Sequence, residues 1–229
     1  MPMEQSSTIN LPNFFPATKF ICKINLSTRR YNLVELSVVP ESRQLVPPLL
    51  FEPMPRYPPP RWLDYSPLGT PLPGTSLLPV KLPIPKEHSQ NIPRDCWFTD
   101  NDLFNYCSDM GCPLACVIDL TYTNYYDPKL FTDRGVKHLK IYVEGHSVPS
   151  SSTVKRFLNI VKDVDDASPG GIVAVHCTHG INRTGYLICR YLIDVLGWSP
   201  DRAIEEFASA RGHPIERENY IESLRRQQH

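Results

Sequence analysis

The stretch that most constrains the fold runs from residue 171 to residue 197 and reads GIVAVHCTHGINRTGYLICRYLIDVLG. Its first seven residues form an apolar run that ends on Cys177, which is typical of a buried strand. A short loop follows, and the apolar residues after it predict a long helix that ends at Gly197. A strand joined to a helix by so short a loop indicates a layered fold, with the cysteine at the mouth of the strand.

Strands and helices alternate through the rest of the region after residue 75. Apolar runs predict strands over 76–83, 115–120 and 137–143, and caps with helical spacing predict helices over 99–112, 150–164, 199–212 and 216–228. Prolines interrupt the first of these strands, so we expect it at a sheet edge. The alternation predicts an α/β fold, with a mainly parallel central sheet flanked by helices on both faces.

Proline divides the chain, because 18 of the 24 prolines lie in residues 1–100. The stretch PPLLFEPMPRYPPPRW (47–62) cannot form a helix or a central strand, since proline lacks an N–H donor and fixes φ. We therefore predict a disordered, proline-rich extension over 1–56 and one folded domain over 57–229. Acidic residues are scarce between Glu4 and Glu35, so a transit peptide is the alternative for that segment.

Charge and cysteine content bear on ligands and compartment. The net charge is zero, so the chain lacks an overall basic field for nucleic acid, and no window approaches the ~20 apolar residues of a membrane span. Seven cysteines without a secretory signal favour free thiols in a reducing compartment. Cys107, Cys112 and Cys116 lack a CxxC pair, so buried thiols are favoured over a metal cluster.

The loop after Cys177 has the features of an anion site. Ligands bind beyond the carboxyl ends of parallel strands, and a loop around a helix N-terminus directs several N–H groups to one point. Helix N-termini also lower a cysteine pKa from ~8.5 to ~3.5–7.5, which favours a thiolate. Cys177 is then a nucleophile, Arg183 can clamp two phosphate oxygens, and Thr184 can donate to the departing sulfur. This set predicts phosphoryl transfer through a phosphocysteine that water hydrolyses.

The loop itself is the expected phosphate cradle. We expect its backbone to bind the phosphate, and His176 to hold that backbone by a hydrogen bond. The cradle residues are Thr178, His179, Gly180, Ile181, Asn182 and Arg183. A metal bound to His176, Cys177 and His179 is the weaker alternative, because alternating residues of a strand point to opposite faces and no fourth ligand is evident.

The pattern HC-x5-R-T-G between a buried strand and an apolar helix is the signature of the cysteine-dependent phosphatases. The longer string HCTHGINRTGYLICRYLIDV resembles their RNA 5′-triphosphatase branch. That branch includes the phosphatase domain of animal mRNA capping enzymes, a baculovirus RNA phosphatase and the RNA-ribonucleoprotein-interacting atypical dual-specificity phosphatases. The resemblance to the last group covers about 57–224 and includes RWLDYSPLGTPLPGT, VIDLTYTNYY, YVEGHSVP and ARGHPIERENYIESL.

The resemblance implies a cysteine-phosphatase fold for 57–229 and an activity on RNA. That activity is removal of the γ- and β-phosphates from RNA 5′ ends without a metal or another cofactor, with Cys177 as nucleophile and Arg183 as the transition-state clamp. The implied substrate is 5′-triphosphorylated RNA. Ribonucleoprotein or splicing factors are the implied partners, no membrane is involved, and the implied location is the nucleus, with the cytoplasm as a second.

Four further residues have both a functional and a structural interpretation. Asp119 lies near the end of a neighbouring strand, where it is expected to donate a proton or to orient Arg183; capping the turn after the strand is the alternative. Arg211, His213 and Arg217 lie in or beside the loop between the last two helices. They are expected to receive the outer phosphates or the RNA backbone, and exposed surface charges are the alternative.

The position of the general acid distinguishes the possible substrates. Ordinary protein phosphatases of this superfamily place an aspartate on a loop before the cysteine, but here that loop reads VEGHSVP, with Glu144 and His146. The RNA-directed branch shares this absence. A phosphatase of phosphotyrosine or phosphoserine proteins, or of phosphoinositides, stays open as an alternative. A catalytically silent module that binds phosphorylated ends is a third, which the presence of both Cys177 and Arg183 disfavours.

Overall fold

The structure, a computed structural model, describes residues 6–7, 20–25, 30–35 and 55–227 and divides into two compact units, Met1–Pro53 and Met54–His229. In the first unit, strands β1 (Ser6–Ser7), β2 (Phe20–Asn25) and β3 (Arg30–Glu35) pair antiparallel in that order. They lie within the segment for which the sequence predicts disorder. Most of that segment is outside the described residues, so the division of the chain at residue 56 stays a prediction.

The second unit is built on a four-stranded parallel sheet in the order β4–β7–β5–β6. The strands are β4 (Leu77–Val80), β5 (Leu114–Asp119), β6 (Lys137–Lys140) and β7 (Ile172–His176). The proline-containing β4 lies at one end of the order, as predicted. β7 lies between β4 and β5, so the carboxyl end of an inner strand presents Cys177.

Six α-helices accompany this sheet within 55–227. They are α1 (Asp100–Asp109), α2 (Lys129–Thr132), α3 (Ser151–Ala167), α4 (Asn182–Asp194), α5 (Pro200–Arg211) and α6 (Glu218–Arg225). The expected caps are present: Thr99 forms a capping box with Asp102, and the Ser150 and Ser199 side chains accept from backbone N–H groups of the first turns of α3 and α5. Only the short α2 is missing from the sequence prediction.

Helices cover both faces of the sheet because its strand residues alternate between two cores. On one face, Ile118 and Val175 pack with residues of α3, α4, α5 and α6. On the other face, Val117 and Ala174 pack with residues of α1 and α2. The α/β fold with a parallel sheet and helices on both faces is therefore confirmed.

Residues 55–227 hold six cysteines, all as free thiols. Within that part of the chain, no group of three or more His, Cys, Asp or Glu side chains could hold a metal ion. In the same residues, no helix is long and apolar enough to cross a membrane.

Candidate active site

The cradle is the loop between β7 and α4, and the backbone at the end of β4 supports it. Cys177 follows β7 directly and is 3% exposed, and α4 begins at Asn182. Gly180 has a φ of 68°, and a Cβ atom there would lie 2.1 Å from the Val80 carbonyl oxygen. The Leu82 N–H also donates to the Thr178 carbonyl at 3.2 Å. Only glycine fits at position 180, because both its backbone angle and the close approach exclude a side chain.

The Cys177 sulfur lies in a field that favours its charged form. Burial alone raises the pKa of Cys177, but the charge of Arg183, the hydroxyl and N–H of Thr184 and the N–H of His179 outweigh it and lower the pKa to about 7. The Thr184 hydroxyl is buried and makes no other hydrogen bond within the described residues. At pH 7, about half of the thiol is ionised, against about 1% for a thiol at its reference pKa of 9.0.

Arg183 is aimed at the cradle by the ends of two neighbouring strands. Its Nη1 donates to the carbonyl oxygens of Leu120 at 3.2 Å and Val143 at 2.9 Å. Its Nη2 donates to Thr178 Oγ1 at 3.1 Å. Leu120 follows β5 and Val143 follows β6 in the chain, so the parallel sheet fixes the guanidinium beside Cys177.

Arg211 supports the cradle from within the protein. Its guanidinium is fully buried and donates from Nε to the Gly180 carbonyl at 3.1 Å and from Nη2 to the His179 carbonyl at 3.0 Å. It also donates to the Ser66 hydroxyl at 2.9 Å and to the Ser66 carbonyl at 2.8 Å. Burial lowers the pKa of Arg211 to about 10, and the Cys177 sulfur acts in the opposite direction. These contacts favour a structural role over the phosphate contact expected from the sequence.

The other two residues expected to meet the outer phosphates, His213 and Arg217, differ in their partners. His213 Nε2 accepts from the Ser66 N–H at 3.1 Å, so it is held by the same segment as Arg211. Asn182 Oδ1 accepts from the N–H groups of Glu216 and Arg217, both at 3.0 Å, and so ties this loop to the start of α4. The half-buried Arg217 guanidinium makes no hydrogen bond or ion pair within the described residues. It is therefore the group of this loop that is free to meet a ligand.

The segment 60–66 packs against the outside of the cradle. The His179 ring donates from Nε2 to the Pro60 carbonyl at 2.8 Å, so its side chain points away from Cys177. The Tyr65 hydroxyl donates to Glu216 Oε1 at 2.6 Å. Ile181 is completely buried under the loop. Of the cradle side chains, Thr178 remains near the ligand position, while His179, Ile181 and Asn182 contribute backbone and support.

His176 is bonded to the backbone at the start of the cradle, and its ring nitrogens both face protein groups. Its Nδ1 lies 3.1 Å from the Cys177 carbonyl, which can only accept, so Nδ1 carries the proton. Its Nε2 then accepts from the Tyr126 hydroxyl at 2.7 Å, and that oxygen accepts from His138 Nε2 at 3.1 Å. Burial lowers the pKa of His138 to about 4 and also lowers that of His176, so this chain of groups stays neutral at pH 7.

Asp119 takes the capping position after β5 rather than contacting Arg183. Its Oδ1 accepts from the Thr121 N–H at 2.8 Å and from the Thr121 hydroxyl at 2.7 Å, while its Oδ2 accepts from Lys140 Nζ at 2.8 Å. Burial acts to raise the pKa of Asp119, but the interactions with His176, Lys140 and Thr121 outweigh it and lower the pKa. The carboxylate is thus ionised and paired, and a catalytic role for it stays a prediction.

The loop in the general-acid position offers exposed groups only. Glu144 and His146 are both exposed. Two residues of α6 fix this loop: Asn219 Nδ2 donates to the His146 carbonyl at 2.9 Å, and the Tyr220 hydroxyl donates to the Ser147 carbonyl at 2.8 Å.

Several residues of the site were not anticipated from the sequence. Lys140 pairs with Asp119, Ser66 receives Arg211, and Tyr126 with His138 extends the chain of hydrogen bonds from His176. The sequence does contain a signal for Lys140. One predicted strand has an aspartate near its end and the next predicted strand has a lysine there, and two such side chains can pair when the strands are neighbours. No comparable local signal indicates Ser66.

Comparisons with known proteins agree with this geometry. The family model for the catalytic domain of dual specificity phosphatases matches residues 106–229. The RNA/RNP complex-1-interacting phosphatase of Bos taurus is 46% identical over 171 residues, which cover 73% of this chain and 51% of that protein. The chain thus spans about half the length of this relative. The tyrosine-protein phosphatase of Autographa californica nuclear polyhedrosis virus is 40% identical, with 72% of this chain and 98% of that protein covered.

Solved structures share the fold at lower identity. PTPMT1 aligns with a TM-score of 0.53 and 23% identity over 69% of this chain and 92% of that chain. The active form of Tk-PTP aligns with a TM-score of 0.53 and 18% identity over 70% of this chain and 97% of that chain. The resemblance read from the sequence is confirmed, and the match of the catalytic-domain model together with these relatives shows that the chain belongs to the dual specificity phosphatase family.

Proposed function

We propose that this chain is an RNA 5′-phosphatase, which removes the γ- and β-phosphates of 5′-triphosphorylated RNA through a phosphocysteine at Cys177. The thiolate attacks the terminal phosphorus, the bond to the bridging oxygen breaks, and the shortened RNA end leaves. Water then hydrolyses the phosphocysteine and restores the thiolate. Arg183 and the cradle N–H groups hold the phosphoryl oxygens in both steps.

The observation that carries the proposal is the ionised, paired state of Asp119 in a site whose acid loop offers no aspartate. Ionised Asp119 has no proton to give at neutral pH. Hydrolysis of a phosphoserine or phosphotyrosine ester expels a strongly basic oxyanion, since the pKa of tyrosine is ~10. The rate of such a reaction rises roughly 10²–10⁴-fold when a general acid protonates that oxyanion. A phosphoanhydride instead expels a phosphate whose second pKa is about 6, which leaves without a proton.

The relatives support the same choice. Four mammalian relatives, at 44–46% identity, are named for interaction with an RNA/RNP complex. Association with ribonucleoprotein and a nuclear location belong to this proposal. The viral relatives are named as tyrosine-protein phosphatases, so a phosphoprotein substrate is the outcome that the test must exclude.

The test compares two substrates under identical conditions. RNA with γ- or β-labelled 5′-triphosphate is incubated in a metal chelator, and phosphate release is compared with that from a phosphotyrosine peptide. We expect kcat/KM for the RNA to be at least about 10²-fold higher, the magnitude of the missing general acid. Cys177→Ser should abolish phosphate release. Glu144→Gln and His146→Ala should each lower RNA turnover by less than about 10²-fold relative to the original chain. A preference for the peptide would overturn the proposal.

A further inference from the structure

Two exposed tyrosines at the rim of the site have no role in the mechanism above. Tyr122 is 59% exposed and Tyr142 is 56% exposed. Their ring centroids lie 6.4 Å apart with an interplanar angle of 80°, so they form an edge-to-face pair. The Tyr142 hydroxyl donates to Asn124 Oδ1 at 3.3 Å. Two large rings kept together in solvent present contiguous aromatic surface of the kind that marks binding sites.

The backbone places this pair beside the cradle. Tyr122 lies two residues after Leu120, and Tyr142 immediately precedes Val143. The carbonyl groups of Leu120 and Val143 are the two that receive Arg183 Nη1, at 3.2 and 2.9 Å. Neither tyrosine makes a hydrogen bond or ring contact with residues 177–183 in the described part of the chain. The two tyrosines therefore belong to the segments that hold Arg183 and contact none of the cradle residues themselves.

Lys140 holds the two tyrosine-bearing segments in a fixed arrangement. Its ammonium donates to Thr121 Oγ1 at 2.6 Å and to the Thr123 carbonyl at 2.9 Å, the residues on either side of Tyr122. Lys140 also precedes Tyr142 by two residues, and its Nζ lies 5.2 Å from the centre of that ring. The pair is thus arranged before any ligand arrives, which lowers the entropy cost of binding.

We propose that Tyr122 and Tyr142 form a stacking platform for the first nucleobase of an RNA whose 5′-phosphates occupy the cradle. The inference rests on the proposed RNA substrate and names the part of it that this surface binds. In a 5′-triphosphate, the β- and α-phosphates and the ribose separate the reacting phosphorus from the first base. A stacking surface that adjoins the Arg183-holding segments but touches none of the cradle residues suits that separation.

A phosphotyrosine side chain fits this surface less well. One ester oxygen joins its ring to the reacting phosphorus, so the ring stays next to the cradle residues, which neither tyrosine contacts. Positive charge near the pair also favours a polyanion: the charge of Lys140 is paired with Asp119, but the exposed Arg156 reaches the same strand and donates from Nη2 to the Lys140 carbonyl at 3.0 Å. Aromatic stacking with a cationic border is the usual surface for single-stranded nucleic acid.

The test removes the rings and the base in turn. Tyr122→Ala and Tyr142→Ala are compared with the Phe variants, which keep the rings, and with Val195→Ala, an equally exposed apolar residue after α4. We expect each Ala variant to lower kcat/KM for 5′-triphosphate RNA roughly 5- to 100-fold, the loss that one base–aromatic stack gives. The Phe variants and Val195→Ala should stay within about twofold of the original chain. Turnover of inorganic tripolyphosphate, which has no base, should be unchanged in all of them.

An RNA with an abasic first nucleotide gives the decisive comparison. On this substrate, the kcat/KM of the original chain should equal that of Tyr122→Ala on the complete RNA. Tyr122→Ala should not lower kcat/KM for the abasic RNA any further, because the contact between base and ring is already missing. If the Ala variants lower the rates for both RNAs equally, or lower the rate for tripolyphosphate, the platform is refuted.

A binding measurement separates failure of the platform from failure of the proposed function. Fluorescence anisotropy of labelled 5′-triphosphate RNA is followed with Cys177→Ser and with the same chain carrying Tyr122→Ala or Tyr142→Ala. If the original chain does not hydrolyse RNA but the tyrosine variants bind it roughly 5- to 100-fold more weakly, the proposed function fails and the platform stands. If RNA is hydrolysed and its binding is unaffected by either tyrosine, the function stands and the platform is overturned.

Discussion

Replacement of Asp119 by asparagine separates a structural carboxylate from a proton donor. The substitution keeps an oxygen that can accept from the Thr121 N–H, which lies 2.8 Å from Oδ1. It removes the negative charge that pairs with Lys140 at 2.8 Å. Asparagine cannot donate a proton as an acid, so any general-acid role for Asp119 is lost completely.

The structural cost follows from the surroundings of Lys140. Breaking a fully buried ion pair costs about 3–5 kcal/mol, because a charge is left unpaired. The Lys140 side chain is 16% exposed and keeps Thr121 Oγ1 and the Thr123 carbonyl as acceptors, so the cost here lies at or below the lower limit of that range, about 2–3 kcal/mol. A domain with ~5–15 kcal/mol of stability survives this loss.

The pH dependence of that cost has a definite sign. Because the folded-state pKa of Asp119 lies below the reference value of 3.8, the carboxylate stabilises the fold above pH ~4. That contribution disappears as the pH falls through the folded pKa. The difference in unfolding free energy between the original chain and Asp119→Asn should therefore be full at pH 6–7 and shrink on acidification. Urea unfolding at several pH values measures it.

The catalytic effect distinguishes the two roles. Without a general-acid role, Asp119→Asn should lower kcat/KM less than about 10-fold, and by the same factor for triphosphate RNA and for aryl phosphates with good and poor leaving groups. A general acid would instead be worth roughly 10²–10⁴-fold, most for the poorest leaving group. Lys140→Met is the matched control, since it breaks the same pair and leaves the carboxyl group in place. A selective loss on poor leaving groups in Asp119→Asn alone would refute the reasoning.

Four further predictions concern the cradle. Because the thiolate is the reactive form and the pKa of Cys177 is about 7, its alkylation by iodoacetamide should rise with pH and reach half its maximum near pH 7. Arg211→Met should lower the unfolding free energy by roughly 3–5 kcal/mol in urea titrations, since buried acceptors left unpaired cost ~1–3 kcal/mol each, and Arg211→Lys should recover part of it. Arg183→Lys should lose RNA turnover at least about 10²-fold in initial-rate assays while the chain stays folded, because an ammonium lacks the planar fork. A chain that starts at Tyr57 should keep its turnover number, and one that starts at Gly69 should lose it, because the second lacks Pro60 and Ser66, which contact the cradle loop and Arg211.

The β7–loop–α4 unit could be predicted because its signals are local. An apolar run, a loop containing Gly180 and a helix before Gly197 are read within one stretch of sequence, and each appears in the structure, although α4 ends at Asp194, three residues before Gly197. The helix caps are equally local, since each involves residues a few positions apart. The four-residue helix α2 was missed because one turn is too short to show a helical period.

The partners of the polar side chains could not be read in the same way. Asp119 and Lys140 are neighbours only because β5 and β6 pair in a register that sets them side by side. Arg211 ends α5, where an arginine usually interacts with the helix dipole in solvent. Its burial depends on Ser66, 145 positions away along the chain. Sequence therefore indicated which residues carry charge near the site but not which of them face the ligand.

The hydrogen bonds of Arg183 show how the same fold serves both support and catalysis. A guanidinium has five N–H donors. Among the described residues, three hydrogen bonds join it to the protein, through the Leu120 and Val143 carbonyls and Thr178 Oγ1. About two donors therefore stay unused, the number that a bidentate clamp on two phosphate oxygens requires. Because the strand ends already fix the other side of the group, a phosphate in the cradle meets a cation that needs no reorientation, and the interaction can strengthen as charge develops on the transferred oxygens.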